Sequence, residues 1–535
     1  MRKSDPAAVV YRAGFQFVRC AAVLFACFLF VTNFFFTCDS QNMESQVMLK
    51  RMDNPFFGIL GLLLFAAACF VCCRWVLRRP SQRKRLLLAL VMLWCLGSGL
   101  ALVVFGRSAP TADSMSVFSI AQQLAEDGYG VIHPTDSYLS YYPQQVGLVL
   151  VYEAILRIWK LFPTDTPAYH LLKCVNVALV CVIVFCQYRL TELLFRDDRA
   201  SCVYLVLGGA NVPLLFYSSF VYGEIPSFAA FSAGVLFLYQ GFQDEGSGRK
   251  AAALSIAAFT ASVMMRKNAL VLMIAVLLVL MFRWLHTRRH RLLLYSGICA
   301  FCVCAVLPVV EKSYELRSGS VLRSGVPPLS YLAMGMQEAS RANGWYNGFN
   351  FEIYRDSGMD TAAASAASRR AISERLADFR ENPVYAADFY AQKYLSQWAD
   401  GTYACRQATL ATFGGRSPFV AGLYEGQYSA YLVAYCNAYQ NFFWLGAFLF
   451  SVLALRKGNG FRIQGVPLYL GYIGGMGGLL FHMLWEANSR YILSYFLLLL
   501  PYAAAGIAGV PRMIQPAWSR ICSHTRRRGS PEFPG

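Results

Sequence analysis

Long stretches of the chain carry no charged residue, and nothing else in the sequence narrows the fold as much; residues 56–73 and 86–106 are two of them. About 20 apolar residues in helical form cross a bilayer. In hydrocarbon every backbone N–H and C=O must be satisfied within the segment, which a helix achieves and a loop does not. Twelve spans are predicted: 14–37, 56–77, 86–105, 169–187, 202–220, 226–242, 251–265, 269–284, 292–310, 432–455, 465–484 and 491–510. Only 15% of the residues are charged and 57% are hydrophobic, against about 25% charged in soluble domains. So little charge cannot cover a water-facing surface. The expected class is an all-α polytopic membrane protein with about 12 transmembrane helices.

The formal net charge of +18 would point to nucleic acid in a soluble protein. Here the basic residues gather between apolar runs, as cytoplasmic loops do on an anionic membrane. Membrane lipids are therefore expected partners and nucleic acid is not. Arg78, Arg79, Arg83, Lys84 and Arg85 mark one inside loop; Arg283, Arg288, Arg289 and Arg291 mark a second. Arg456, Lys457 and Arg462 mark a third, and Arg526 to Arg528 put the C-terminal tail inside. Met1-Arg2-Lys3 before the first run, with no small-residue cleavage site, reads as a retained signal anchor. The 17 cysteines lie mostly inside apolar runs and lack metal-ligand spacing.

These anchors force a choice. Residues 106–168 begin outside and 189–200 must lie inside, so of the two apolar stretches 144–162 and 169–187 only one crosses. The first carries Glu153, Arg157 and Lys160 beside its apolar face, which predicts an interfacial amphipathic helix. The chain divides into two extra N-terminal spans (1–85), a transmembrane core (86–310) with an outer loop at 106–168, an extracytoplasmic domain (311–431), C-terminal spans (432–510) and a basic cytoplasmic tail (511–535) whose end resembles a cloning scar. The domain at 311–431 is expected to be small and mostly helical, with helices over 362–376 and 385–398 around an aromatic core.

Ionisable residues at the outer boundary are functional candidates because they are costly there. Asp113 opens the first outer loop, where an N-cap is the plain alternative. Glu224 stands in the Tyr222-Gly223-Glu224 turn, where it also suits a helix N-terminus. Arg266 and Lys267 sit in a tight outer turn against the positive-inside bias; headgroup snorkelling is their plain reading. Glu486 and Arg490 are spaced as a helical ion pair.

Taken in order, these segments resemble the GT-C superfamily of glycosyltransferases, nearest to bacterial relatives of protein O-mannosyltransferases and aminoarabinose transferases. The resemblance spans roughly 86–510. It rests on Asp113-Ser114-Met115, on Ala121 to Gly128, on Tyr141-Tyr142-Pro143 through Gly147, and on Tyr222-Gly223-Glu224. It continues through Met334-Gly335-Met336, Gly344-Trp345-Tyr346-Asn347-Gly348, Lys393 to Trp398, and Glu486 to Tyr491. Two features depart from the pattern: the extra N-terminal spans, and the lack of a second acid beside Asp113.

The resemblance implies an enzyme that moves a hexosyl or pentosyl group from a polyprenyl-phosphate carrier to an acceptor outside the cytoplasm. The acceptor would be cell-wall polysaccharide, another glycan or glycolipid, or protein, and the reaction an inverting displacement at the outer face of a bacterial plasma membrane. On that reading Asp113, or Glu224, is the catalytic carboxylate. Arg266, Lys267, Lys393 and Arg490 bind the donor phosphate. Trp345, Tyr346, Trp398, Tyr142 and Glu486 contact sugar or acceptor. No organic cofactor is implied, and a divalent cation is allowed. The competing reading is a secondary transporter or lipid-linked-sugar flippase, which predicts ionisable groups near the bilayer midplane and repeated halves.

Overall fold

The computed structural model describes residues 6–40, 43, 45–129, 138–162, 166–243, 248–456, 461 and 463–527, for 512–527 the backbone alone. Lys457, Arg462, Arg528, Met1 to Lys3 and the tail from Gly529 lie outside the described residues.

The predicted runs are helical. The first three helices are α1 (Pro6–Phe35), α2 (Pro55–Val76) and α3 (Pro80–Gly106). The outer loop then forms α4 (Ala112–Glu126), a single turn α5 (Tyr138–Tyr141) and α6 (Val146–Trp159). Helix α7 covers Ala168–Phe195. The run at 202–220 breaks into α8 (Asp198–Gly209) and α9 (Val212–Tyr217). The cause is local: the Asn211 side chain accepts from Leu214 N at 3.2 Å, and Pro213 removes a backbone donor, so a new helix starts there. Next come α10 (Glu224–Gln243), α11 (Gly248–Met265), α12 (Ala269–Thr287) and α13 (Arg291–Ser318). The segment expected to form the outer domain holds α14 (Pro328–Gly335), α15 (Phe349–Asp356), α16 (Thr361–Glu381), α17 (Pro383–Trp398), α18 (Cys405–Ala408) and α19 (Pro418–Glu425). The chain closes with α20 (Ser429–Leu453), α21 (Leu470–Leu484) and α22 (Leu493–Arg527).

Among the described residues, eight helical stretches are long and apolar enough to cross a membrane: α1, α2, α3, α7, α10, α12, α13 and the stretch Ser489–Pro511 that leads into α22. The other four predicted runs fold as the broken pair α8–α9, the 18-residue α11, α20 with Asn437, Gln440 and Asn441 along it, and the short α21. A two-stranded hairpin, β1 (Phe36–Ser40) with β2 (Met48–Met52), joins the first two helices and was not anticipated. It is tied to the outer domain by Arg406, whose Nη2 meets Asp39 Oδ1 at 2.8 Å with both side chains buried.

Helix α22 is the central post, packed on α7, α8, α20 and α21. A Cβ on Gly506 would lie 1.9 Å from the Gly446 carbonyl oxygen, so α20 and α22 touch backbone to backbone. Such contact needs small residues, the usual solution where lipid supplies no hydrophobic drive between helices.

The predicted interfacial helix is α6; of its charged stripe Arg157 and Lys160 are exposed and Glu153 is buried. Glu153 is 2% exposed and takes Arg157 at 2.7 Å, Arg317 of α13 at 3.0 Å and the Tyr129 hydroxyl at 2.5 Å. A carboxylate that deep persists only when paired. Ile158, Leu161 and Phe162 are exposed at this end alongside Arg157 and Lys160.

Candidate functional site

Asp113 lies in the first turn of α4 but does not cap it. Thr111 holds the N-cap position, and Ser114 Oγ accepts from Thr111 N at 3.0 Å. The half-buried Asp113 carboxylate has no hydrogen bond or ion pair among the described residues. The segment feeding it is strained, since Arg107 (φ 47°) and Ala112 (φ 45°) both adopt left-handed backbone without being glycine. That costs roughly 1–2 kcal/mol per residue and concentrates at functional sites. Cross-links pin the segment: Ala109 N donates to Ala411 O at 2.8 Å, and buried Lys173 of α7 donates to Ser108 O at 2.9 Å.

Around this acid stands a wall of phenols. Burial, with the Asp113 charge as a further cause, holds the hydroxyls of Tyr138, Tyr142, Tyr222, Tyr331 and Tyr346 above the ordinary tyrosine pKa, so they are neutral donors. Gln145 Nε2 donates to the Tyr222 hydroxyl at 2.6 Å.

The charged centre forms where α10, the α11–α12 turn and the start of α22 meet. Glu224 Oε1 lies 2.6 Å from Arg266 Nη1 and 3.1 Å from Arg490 Nε. Both guanidiniums lie near the rings of Tyr222 and Tyr491, 5.4–5.7 Å from the centroids. Glu224 is thus their shared counter-ion, although its Oε2 finds no hydrogen-bond donor. A small cavity of about 30 Å³ opens here. Its polar end is Glu224, Arg266, Asn268, Arg490 and Tyr491, and its wall continues along Phe228, Phe231, Leu272, Leu493 and Leu497. The space is about that of one water, and Ser227, Ser262 and Ser494 line the wall as well.

Glu486 and Arg490 do not form the helical pair their spacing suggested. Residues 485–488 are non-helical; Arg490 turns to Glu224, and Glu486 Oε1 accepts from the Tyr491 hydroxyl at 2.8 Å. Burial pushes Glu486 up to about 6, the Asp113 charge adding to it and Tyr491, Arg490 and Arg266 opposing. The outer domain grips this segment. Ala487 N donates to Gly344 O at 2.8 Å, and Tyr331 stacks on Trp485 with centroids 5.6 Å apart. Gly335 is required, since a Cβ there would lie 2.5 Å from Leu484 O.

Several predicted site residues serve elsewhere. Lys393 is fully buried and donates to the Gly335 and Trp485 carbonyls, so it clamps the Glu486 segment rather than facing a ligand. Trp345 is 2% exposed with its Nε1 on Ser396 Oγ at 2.9 Å, and Trp398 is 0% exposed between Phe25, Trp444 and Tyr495. Both are core, whereas Tyr346 is 45% exposed and within the field of Asp113 and Glu486. Lys267 is exposed, and its charge acts on Glu311 rather than joining Arg266. Arg341, which the sequence did not single out, is half-buried, and burial lowers its basicity. Its one outward sign was its place four residues before Trp345. Among the described residues no three His, Cys, Asp or Glu side chains gather as metal ligands.

Residues 15–507 match the model of a family described as conserved hypothetical integral membrane protein, and the chain belongs to that family. No curated protein matches it.

Proposed function

We propose that this integral membrane protein is a glycosyltransferase of the GT-C kind, moving a sugar from a polyprenyl-phosphate carrier to an acceptor at the outer face. The observation that carries the reading is the cavity with Arg266 and Arg490 at its head and a largely apolar wall below, with an unpartnered carboxylate, Asp113, in the neighbouring loop. Two guanidiniums against one carboxylate leave one positive charge, which matches a phosphodiester.

The reaction is a single displacement. Asp113 accepts the proton of the acceptor hydroxyl while that oxygen bonds to the anomeric carbon and inverts it. The bond from that carbon to the phosphate oxygen breaks, and its electron pair leaves with the carrier phosphate. Arg266 and Arg490 are already in position for the charge that develops, so no reorganisation is needed as it forms. Tyr142 and Tyr346 offer neutral hydroxyls to the sugar.

The test is incubation of the purified, reconstituted protein with polyprenyl-phosphate sugars, following release of free carrier phosphate. Release that requires Asp113 supports the reading. Movement of intact carrier across the bilayer without cleavage would make the protein a flippase instead.

A further inference from the structure

Away from the candidate site, cations also outnumber acids where the end of α13 meets α6. Arg157 and Arg317 come from different helices and both hold Glu153 Oε1, at 2.7 and 3.0 Å. Tyr129 donates to the other carboxylate oxygen at 2.5 Å, so Glu153 is saturated. Two guanidiniums on one oxygen stand within reach of a single further anion. Lys160 follows on the same helix end and donates to Ala125 O at 3.0 Å, beside the 2.6 Å bond from Arg157 Nη2 to Leu124 O. Three cations thus accompany one acid. The acids nearest in sequence are engaged elsewhere: Glu315 takes Lys312 at 3.0 Å, and Glu126 accepts from Gln122 at 2.8 Å.

Capping accounts for part of this, because Arg157 and Lys160 close the last carbonyls of α4. It does not account for the shape of the pair. Both arginine side chains are 46% exposed while the carboxylate between them is 2% exposed. Arg157 Nη1 and Arg317 Nη1 have no protein acceptor among the described residues. The Arg317 guanidinium lies 4.0 Å from the centroid of the Tyr129 ring, which fixes its position.

The depth is that of lipid headgroups. Helix α13 is a candidate span of 28 residues, about 40 Å at 1.5 Å per residue, close to the thickness of a bilayer with its headgroup layers. Arg317 is its penultimate residue. Ile158, Leu161 and Phe162 after Arg157 are exposed, as are Val309 and Leu316 on α13. The Trp159 and Phe162 rings lie 6.3 Å apart, and aromatic residues such as Trp collect at this level of a membrane.

We propose that Arg157 and Arg317, with Lys160 beside them, form a headgroup site for an anionic phospholipid in the leaflet on this side of the membrane. The lipid phosphate bridges the two guanidiniums, whose planar forks match phosphate oxygens, and the acyl chains lie against the exposed apolar residues of α6 and α13. The site stands whether or not the protein transfers sugar.

The test is lipid retention by the full chain, purified in detergent with an equal mixture of phosphatidylglycerol and phosphatidylcholine and weighed by native mass spectrometry. Wild type should keep phosphatidylglycerol in preference, and a wild type without that preference overturns the proposal. Arg317→Gln leaves Glu153 with Arg157 and Tyr129, so it should fold; Arg157→Gln is weighed in parallel. A loss of preference of roughly fivefold in either variant, the scale of one cation at a membrane surface, supports the site. Wild-type preference in both variants overturns it. Lys312→Gln removes a cation from the same end of α13 and should keep the preference; an equal loss there would mean diffuse surface charge and no site. Displacement of phosphatidylglycerol by soluble glycerol phosphate at equal concentration would make the ligand a free phosphate and also overturn the proposal.

Discussion

Asp113 and Glu224 are both acids near helix starts at the same boundary, and their neighbours separate their roles. Asp113 has no partner to lose, so Asp113→Asn should leave the melting temperature and carrier binding unchanged. Transfer should slow at least roughly a hundredfold, the scale of general-base assistance; single-turnover carrier release measures it. Glu224→Gln should behave differently, because it leaves two largely buried guanidiniums facing each other. Breaking such a pair costs about 3–5 kcal/mol, readable as a lowered unfolding midpoint. Glu486 adds a pH dependence. Its pKa of about 6 means the carboxylate is charged at pH 7 and mostly neutral at pH 5, in the field of the two arginines. A phosphodiester does not titrate in that range, so its binding should strengthen as pH falls from 7 to 5, by about 1 kcal/mol or roughly fivefold. Glu486→Gln should flatten the profile. At this scale the sequence was partly legible. Charge at a membrane boundary marked Asp113, Glu224, Arg266, Glu486 and Arg490 because ionisable groups are rare there. It did not mark partners: the pairing of Arg490 with Glu224 joins residues 266 positions apart (490 − 224), and no local spacing reports that. Aromatic residues were ambiguous for the same reason, since Trp398 and Tyr346 differ only in what packs on them.

Among the elements, the clearest dependence is between the outer domain and the short segment from Trp485 to Ala487. Lys393 on α17 bonds the end of α14 and Trp485 together, and burial pushes its ammonium down to about 7. The unfolded chain keeps this lysine protonated up to its ordinary value near 10.4. Between about 7 and 10 the unfolded state therefore binds more protons than the folded one, and stability rises with pH across that window. Thermal melts at pH 7 and pH 9 should show the rise in wild type and a smaller one in Lys393→Met. Helix existence was readable from apolar runs, and α16 and α17 fall where they were expected. The break between α8 and α9 was missed because Asn211 and Pro213 lie inside an otherwise apolar run, which hides a cap within a span. The burial of Glu153 within the stripe of α6 was not legible for a related reason: Arg317, which helps neutralise it, comes from α13.

For the whole molecule, the membrane class followed from too little charge to cover a water-facing surface, and the family match agrees with it. Orientation rests on the positive-inside bias and is open to a direct check. An epitope inserted at the exposed Gly358 turn should be reached by antibody on intact cells, and one inserted after Arg289 only after permeabilisation. Detection of the second without permeabilisation would invert the topology and move the cavity to the cytoplasmic side. The burial of the helices is uneven: 89% of the apolar window in Ser489–Pro511 is buried, against 6% in α2. This has a consequence for biogenesis. Early helices such as α2 bury little of their apolar surface within the protein. The post on which the others pack is among the last segments made, and it brings Arg490 with it. Until then Arg266 has Glu224 to itself, the cavity lacks one wall, and the bundle stays loosely associated. A chain that stops before residue 489 would hold the other seven candidate spans and lack Arg490.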